Sequence, residues 1–241
     1  TDYDISDKLY FEELTSERIL DIYEKESPQG VIASVGGQIP NTLAMKLAHS
    51  GVKLLGTAAE DIDRAEDRSK FSELLDYLDI PQPPWSKLAS IEGAKLFAEK
   101  IGYPVIVRPS YVLSGSAMRV AFDEISLENF LKLAAKVSRE YPVVLSKFIE
   151  GAKEVEADGV SDGETCLIGA IMEHIENAGI HSGDATMTIP PQTLSQEILE
   201  KVEAATRKIV GALKIKGPFN IQYIVKGGEV SVIECNLRAS R

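Results

Sequence analysis

Apolar and polar positions follow two rhythms along this chain, strict alternation in some stretches and a period near 3.6 in others, which together predict a mixed α/β protein. The clearest stretch is the last. From Phe219 to Arg241, two runs rich in Val, Ile, Phe and Tyr flank Gly227-Gly228, a β-hairpin signal. Side chains alternate along a strand, so Glu234 and Asn236 share one face while Ile233 and Cys235 take the other. A two-residue loop would set Gln222 opposite Ile233. A three-residue loop or a bulge would pair Gln222 with Val232 and bring it onto the Glu234 face, so one of these is expected if the three polar side chains are to converge.

Toward the N-terminus the helical period dominates. Thr15 or Ser16 can cap a helix with a stripe at Ile19, Ile22 and Tyr23 that ends before Pro28. Val31 to Val35 reads as a short buried strand, Asn41 to Ser50 as a helix stopped by Gly51, and Val52 to Leu55 as a second strand. This order predicts part of a doubly wound parallel sheet over residues 1–60, with Gly36-Gly37 at a strand's carboxyl end as a plain turn or a ligand-facing one. Phe71, Leu74, Leu75 and Leu78 mark the next helix, whose start at Ala65-Glu66-Asp67-Arg68 puts Arg68 in its first turns. Pro81, Pro83 and Pro84 then break the chain. A helix over 91–101, a buried strand ending Val107-Arg108-Pro109, a strand from Met118 to Phe122, a helix from Ser126 to about Arg139 and a strand from Val143 to Ile149 follow. A strand from Leu167 to Ile175 comes next, and Ser195 caps a long helix striped with Ile198, Val202, Ala205, Ile209 and Ala212 that closes against the final sheet. Residues 61–146 and 147–241 are expected to form a smaller and a larger lobe.

Candidate chemistry falls where these elements end. A carboxylate and an amide two residues apart, Glu234 and Asn236, suit a hard, oxygen-seeking cation such as Mg²⁺, and Arg238 and Arg241 beside them suit an anion. Arg68 stands against the positive end of its helix, which favours a nearby anion or pairing with Glu66 or Asp67. Arg108 ends an apolar strand with no partner in its own stretch. The loop after it, with Ser114 and Gly115, is either a flap whose backbone N–H groups wrap an anion or an ordinary hairpin loop. Glu154, Glu156 and Asp158 share one strand face, solvated or, at one of them, placed to take a ribose hydroxyl. His181 sits on the polar loop 176–184 between Gly179 and Gly183, whereas His174 and His49 read as structural.

Composition narrows the choice. A net charge of −11 argues against a general nucleic-acid surface, so any phosphate must be held by a few placed cations. Cys166 and Cys235 are the only cysteines, each in an apolar run, which excludes a disulfide framework and a thiolate metal site and fits a reducing, cytoplasmic setting. No run has the length of a membrane span, and no signal peptide opens the chain. The opening residues and the stop at Arg241 read as a piece of a longer chain.

Three stretches carry a family resemblance: Arg108-Pro109-Ser110-Tyr111-Val112-Leu113-Ser114-Gly115, Glu176-Asn177-Ala178-Gly179-Ile180-His181-Ser182-Gly183-Asp184 and Glu234-Cys235-Asn236-Leu237-Arg238. Together they resemble the large subunit of carbamoyl-phosphate synthetase, an ATP-grasp enzyme, and the resemblance runs over essentially the whole chain. It implies an ATP-grasp α/β fold preceded by a partial pre-ATP-grasp lobe. That subunit has two homologous halves. Tyr111-Val112-Leu113 and His181-Ser182-Gly183-Asp184 are similar to the second, carbamate-phosphorylating half, where the bicarbonate-activating first half carries Phe-Thr-Met and His-Thr-Gly-Asp.

The resemblance also implies roles. Arg68 and Arg108 hold ATP phosphates under a Ser114-Gly115 flap, with Gly179, Ile180, His181 and Ser182 on the phosphate side. Lys147 and Ile149 offer backbone groups to adenine, and Glu154 takes the ribose hydroxyls. Gln222, Glu234 and Asn236 hold Mg²⁺ or Mn²⁺, with K⁺ as a further ion, while Arg238, Arg241 and Asn236 handle carbamate and the transferred phosphoryl group. Implied partners are the first synthetase half and a glutaminase subunit or domain. Two departures stand out: Ser114-Gly115 replaces the Gly-Gly of many relatives, and the resemblance begins after the first strand of the N-terminal lobe. The competing readings are the bicarbonate half, another ATP-grasp carboxylate–amine ligase, and a nucleotide-binding module without turnover.

Overall fold

Two antiparallel sheets organise the protein, seen in a computed structural model that describes residues 4–88, 90–109, 118–137, 143–179 and 184–239. The smaller contains β1 (Trp85–Leu88), β2 (Val105–Pro109), β3 (Arg119–Ala121) and β4 (Val143–Lys147) in the order β1-β4-β2-β3. Alternation along β2 sends Val105 and Val107 into a core with Ala94 and Ala98 of α5 (Ile91–Ile101) and Leu127 and Leu131 of α6 (Glu124–Val137). Ile106 and Arg108 therefore take the opposite face. Helix α6 starts two residues before the expected Ser126, because the Asp123 carboxylate accepts the Ser126 N–H at 2.7 Å and turns the chain earlier.

The larger sheet contains β5 (Lys153–Asp162), β6 (Cys166–Asn177), β7 (Met187–Thr188), β8 (Lys216–Lys226) and β9 (Glu229–Asn236) in the order β7-β6-β5-β8-β9. Helix α7 (Gln196–Ala212) is capped by the Ser195 hydroxyl, as expected, and buries Ile198, Val202 and Ile209 against Val155, Ala157, Phe219, Ile221 and Tyr223. Within that core the Tyr223 hydroxyl lies 2.7 Å from Thr206 Oγ1, so its polar end is satisfied.

Four helices precede the sheets: α1 (Ser16–Glu26), α2 (Gln38–His49), α3 (Ala59–Glu66) and α4 (Arg68–Tyr77). Thr15 caps α1, and Gly37 opens α2 from a positive φ of 84°. The expected parallel sheet is reduced to a single bridge, Val31 to Leu54. Among the described residues no further strand pairs with that bridge, and Ile32, Val35 and Leu55 are exposed rather than buried. The single helix expected from Ala65 onward is two, because Asp67 is extended and ends α3 while capping α4. Both helices sink their apolar side chains, Ile62, Phe71, Leu74 and Leu75 among them, into the core of the larger sheet. No helix among the described residues is long and apolar enough to cross a membrane.

Candidate active site

The β8–β9 hairpin brings the first site residues together through a bulge. Lys226 pairs with Glu229 across a two-residue Gly227-Gly228 turn, yet Gln222 stands opposite Glu234, because Tyr223 pairs with Val232 and Ile233 is skipped. Gln222 thus reaches the Glu234 face as expected of a bulge, but its partner is Glu234 itself and not Val232. Burial explains the extra residue. Val230 and Val232 lie in the core on one side of the bulge and Cys235 and Leu237 on the other. Unbroken alternation from Val232 would drive Glu234 and Asn236 into that apolar core, at a cost of several kcal/mol for the carboxylate.

Cross-strand register extends the polar face. Glu156, Gln222 and Glu234 form one row over β5, β8 and β9, and Asp158, Asn220 and Asn236 form the next. Glu154 and Glu156 are buried, so the acidic row on β5 is not the solvated one that alternation alone allows. The Glu156 carboxylate accepts from Asn220 at 2.6 Å and Gln222 at 3.2 Å, and lies 3.0 Å from His174 Nε2. Ligand atoms of Glu154, Glu156 and His174 all fall within 4.8 Å of one another. Burial alone would lower the His174 pKa, but its contacts with Glu156 and Glu154 turn the shift upward. Burial raises the Glu154 carboxyl, against the pull of His174 and a hydrogen bond from the Gly179 N–H.

Arginine closes the face from the other side. Asp67 accepts the N–H groups of Ser69 at 2.9 Å and Lys70 at 3.0 Å, fixing the start of α4 so that Arg68 Nη2 lies 3.1 Å from Glu234 Oε2. The cation at the helix start therefore finds its anion on β9 and not in Glu66 or Asp67. Arg108, from the small sheet, has its pKa pushed down to about 9 by burial first and by Arg68 second. The Nε atoms of both arginines are buried without a hydrogen-bond partner among the described residues, an arrangement that suits an incoming anion with several acceptor oxygens. Burial would raise the Glu234 carboxyl, but Arg68, Asn236 and Arg108 hold it below the usual range, ionised and fit for a hard cation.

The remaining expected residues are placed unevenly. Arg238 reaches Asn236 Oδ1 at 3.2 Å and Gln38 Oε1 at 3.5 Å, so it stands beside the Glu234–Asn236 pair. Gln38 and Asn41 donate in turn to Glu66 at the end of α3, and Asn41 also donates to the Leu237 carbonyl just past β9 at 3.3 Å, tying α2 to both. The Lys147 N–H is taken by the Pro84 carbonyl at 2.9 Å and its ammonium by the carbonyls of Gly102 and Tyr103, so of its backbone groups only the carbonyl is left to face a base. Ile149 follows β4. Ser114, Gly115, Ile180, His181, Ser182 and Arg241 lie outside the described residues. Sequence reasoning held Glu156 only as one of three carboxylates that could take a ribose hydroxyl, left His174 as structural and did not single out Asn220, although alternation at 154, 156 and 158 and at 220 and 222 already put the carboxylates and amides on one face.

Comparison with known proteins accords with this geometry. Residues 67–241 match the family described as carbamoyl-phosphate synthase L chain, ATP binding domain, and residues 1–64 the carbamoyl phosphate synthase preATP-grasp domain. The chain is 58% identical over 241 residues to the mitochondrial carbamoyl-phosphate synthase (ammonia) of Rattus norvegicus, covering 100% of itself and 16% of that protein. It is 54% identical to multifunctional protein URA2 of Saccharomyces cerevisiae, again over its whole length but only 11% of that relative. Among solved structures it superposes on a biotin carboxylase–ATP complex from Campylobacter jejuni with a TM-score of 0.78, at 20% identity, over 94% of this chain and 52% of that one. This last likeness is one of fold, and the fold is ATP-grasp.

Proposed function

The chain belongs to the carbamoyl-phosphate synthase large-chain ATP-binding family, and from that footing we propose that it transfers the γ-phosphoryl group of ATP to carbamate. The observation that carries the reading is the pair of half-buried arginines, Arg68 and Arg108, with buried, unpartnered Nε atoms beside the ionised Glu234. A polyanion with its own cation satisfies both. Tyr111-Val112-Leu113 and His181-Ser182-Gly183-Asp184 support the carbamate step over the bicarbonate step.

In this reaction a carbamate oxygen forms a bond to the γ-phosphorus as the bond to the β,γ-bridging oxygen breaks, giving ADP and carbamoyl phosphate. No protein nucleophile is needed; the protein positions the reactants and neutralises charge. Arg68 and Arg108 take the phosphates under the Ser114-Gly115 flap, with Gly179, Ile180, His181 and Ser182 flanking them. Glu154 takes the ribose, Lys147 and Ile149 the adenine, and Arg238 and Arg241 the carbamate. The oxygens of Gln222, Glu234 and Asn236 fit Mg²⁺ or Mn²⁺, which when bound neutralises the phosphate charge. K⁺ rests on the resemblance alone. The first synthetase half and a glutaminase are the proposed partners, and the unpaired cysteines suit a reducing compartment.

The test supplies Mg·ADP and carbamoyl phosphate and measures ATP formed. The parent is expected to make ATP, and Glu234→Gln to lose activity on the order of a hundredfold or more. Bicarbonate-stimulated ATP hydrolysis with no ATP synthesis would instead assign the chain to the bicarbonate step.

A further inference from the structure

Glu156 has no role in the reading above, yet it is 3% exposed and three N–H-bearing groups converge on it. We propose that Glu156 is a positioning residue that decides which end of three amides faces the metal site. The inference rests on Gln222, Glu234 and Asn236 being the metal ligands.

An ionised carboxylate only accepts hydrogen bonds, so an amide facing it must present its NH₂ and turn its oxygen away. Gln222 gives Nε2 to Glu156 Oε1 at 3.2 Å, and its register partner on the other side is Glu234. Its oxygen is thereby sent toward Glu234. Asn220 commits both N–H bonds, one to Glu156 Oε2 and one to Asp158 Oδ1, each at 2.6 Å. The Asn220 oxygen must then face β9, where it accepts from Asn236 Nδ2 at 3.3 Å. Asn236 spends its second N–H on Glu234 Oε1 at 3.2 Å, which leaves Asn236 Oδ1 pointing outward beside Arg238. The direction is set by the carboxylates of β5, by Glu156 for Gln222 and by Glu156 together with Asp158 for Asn220. An amide of the same shape at position 156 both donates and accepts, so it removes the direction while keeping the packing. An inverted Gln222 or Asn236 offers N–H groups, which repel a cation.

The experiment titrates Mn²⁺ by electron paramagnetic resonance, with and without ADP, on the full chain and on Glu156→Gln and Glu234→Gln. Glu156→Gln is expected to weaken Mn²⁺ binding about tenfold to a hundredfold while leaving metal-free ADP affinity unchanged, and Glu156→Asp, still acceptor-only, to keep more of it. Parent-like Mn²⁺ binding in Glu156→Gln, with binding lost in Glu234→Gln, overturns the positioning role and leaves the proposed function standing. Parent-like binding in Glu234→Gln places the metal elsewhere and sinks both. Should Glu156→Gln not fold, Asn220→Ala cuts the relay one step later and is expected to show the weakening at Asn236; unchanged binding there also overturns the inference.

Discussion

Arg108 is a cation buried before any anion arrives. Its folded pKa near 9 lies below the ordinary value of 12.5, so the folded chain disfavours the charge. That penalty is complete below about pH 9 and fades only as pH rises through it, which makes it constant across the physiological range. Arg108→Met is therefore expected to raise the melting temperature of the ligand-free chain by about 2–8 °C, equally at pH 6 and pH 8. It should also weaken ADP binding by roughly tenfold to a hundredfold, read by calorimetry. A lowered melting temperature would mean that the guanidinium is stabilising in the empty protein. Arg108 stood out in the sequence as a cation ending an apolar strand, whereas Arg68, which its helix start left free to pair with Glu66 or Asp67, was singled out by the resemblance. Glu156 and His174 were not, since alternation says which face a side chain takes but not what covers that face.

Asp67 does two jobs at one residue, and the helix period gives no sign of either. Its extended backbone ends α3, and its carboxylate caps α4 through two N–H groups. Asp67→Ala is expected to cost about 1 kcal/mol, seen as a lower urea midpoint at unchanged slope. Because Arg68 follows directly, nucleotide affinity should fall with it. If stability drops but affinity holds, the cap does not set the arginine. The sequence showed the second helix and the place of Arg68 but not the break, for neither glycine nor proline marks it. Strands β1 and β7 were likewise invisible: they are short, and they are strands only because β4 and β6 pair with them. The bulge was legible as one of two ways, a three-residue loop being the other, to bring Gln222 onto the Glu234 face, but the burial on β9 that fixes its position was not.

The site belongs to no single part of the molecule. Arg68 comes from α4, Arg108 from the small sheet, Glu234 from the large one, and Gln38 at the start of α2 joins through Arg238. Ligand binding should therefore stabilise the whole. Mg·ADP at about a hundred times its dissociation constant adds about 2.7 kcal/mol, which is expected to raise a single melting transition by roughly 5–10 °C. Chelating the metal with EDTA should shrink that shift. Two transitions, only one of them moved, would show that the sheets respond separately. At this scale the sequence announced an acidic protein in which any bound phosphate must be held by a few placed cations. The sharing of a core between α3, α4 and the distant β8–β9 hairpin was hidden by their separation along the chain.

The skipped Ile233 also gives the hairpin slack. Register at the turn is set by Gly227-Gly228, and register at the Glu234 row by the burial of Cys235 and Leu237. The two need not agree, since one unpaired residue takes up the difference. The pairing at the turn end of the hairpin is thus set independently of the pairing at the end that carries Glu234 and Asn236.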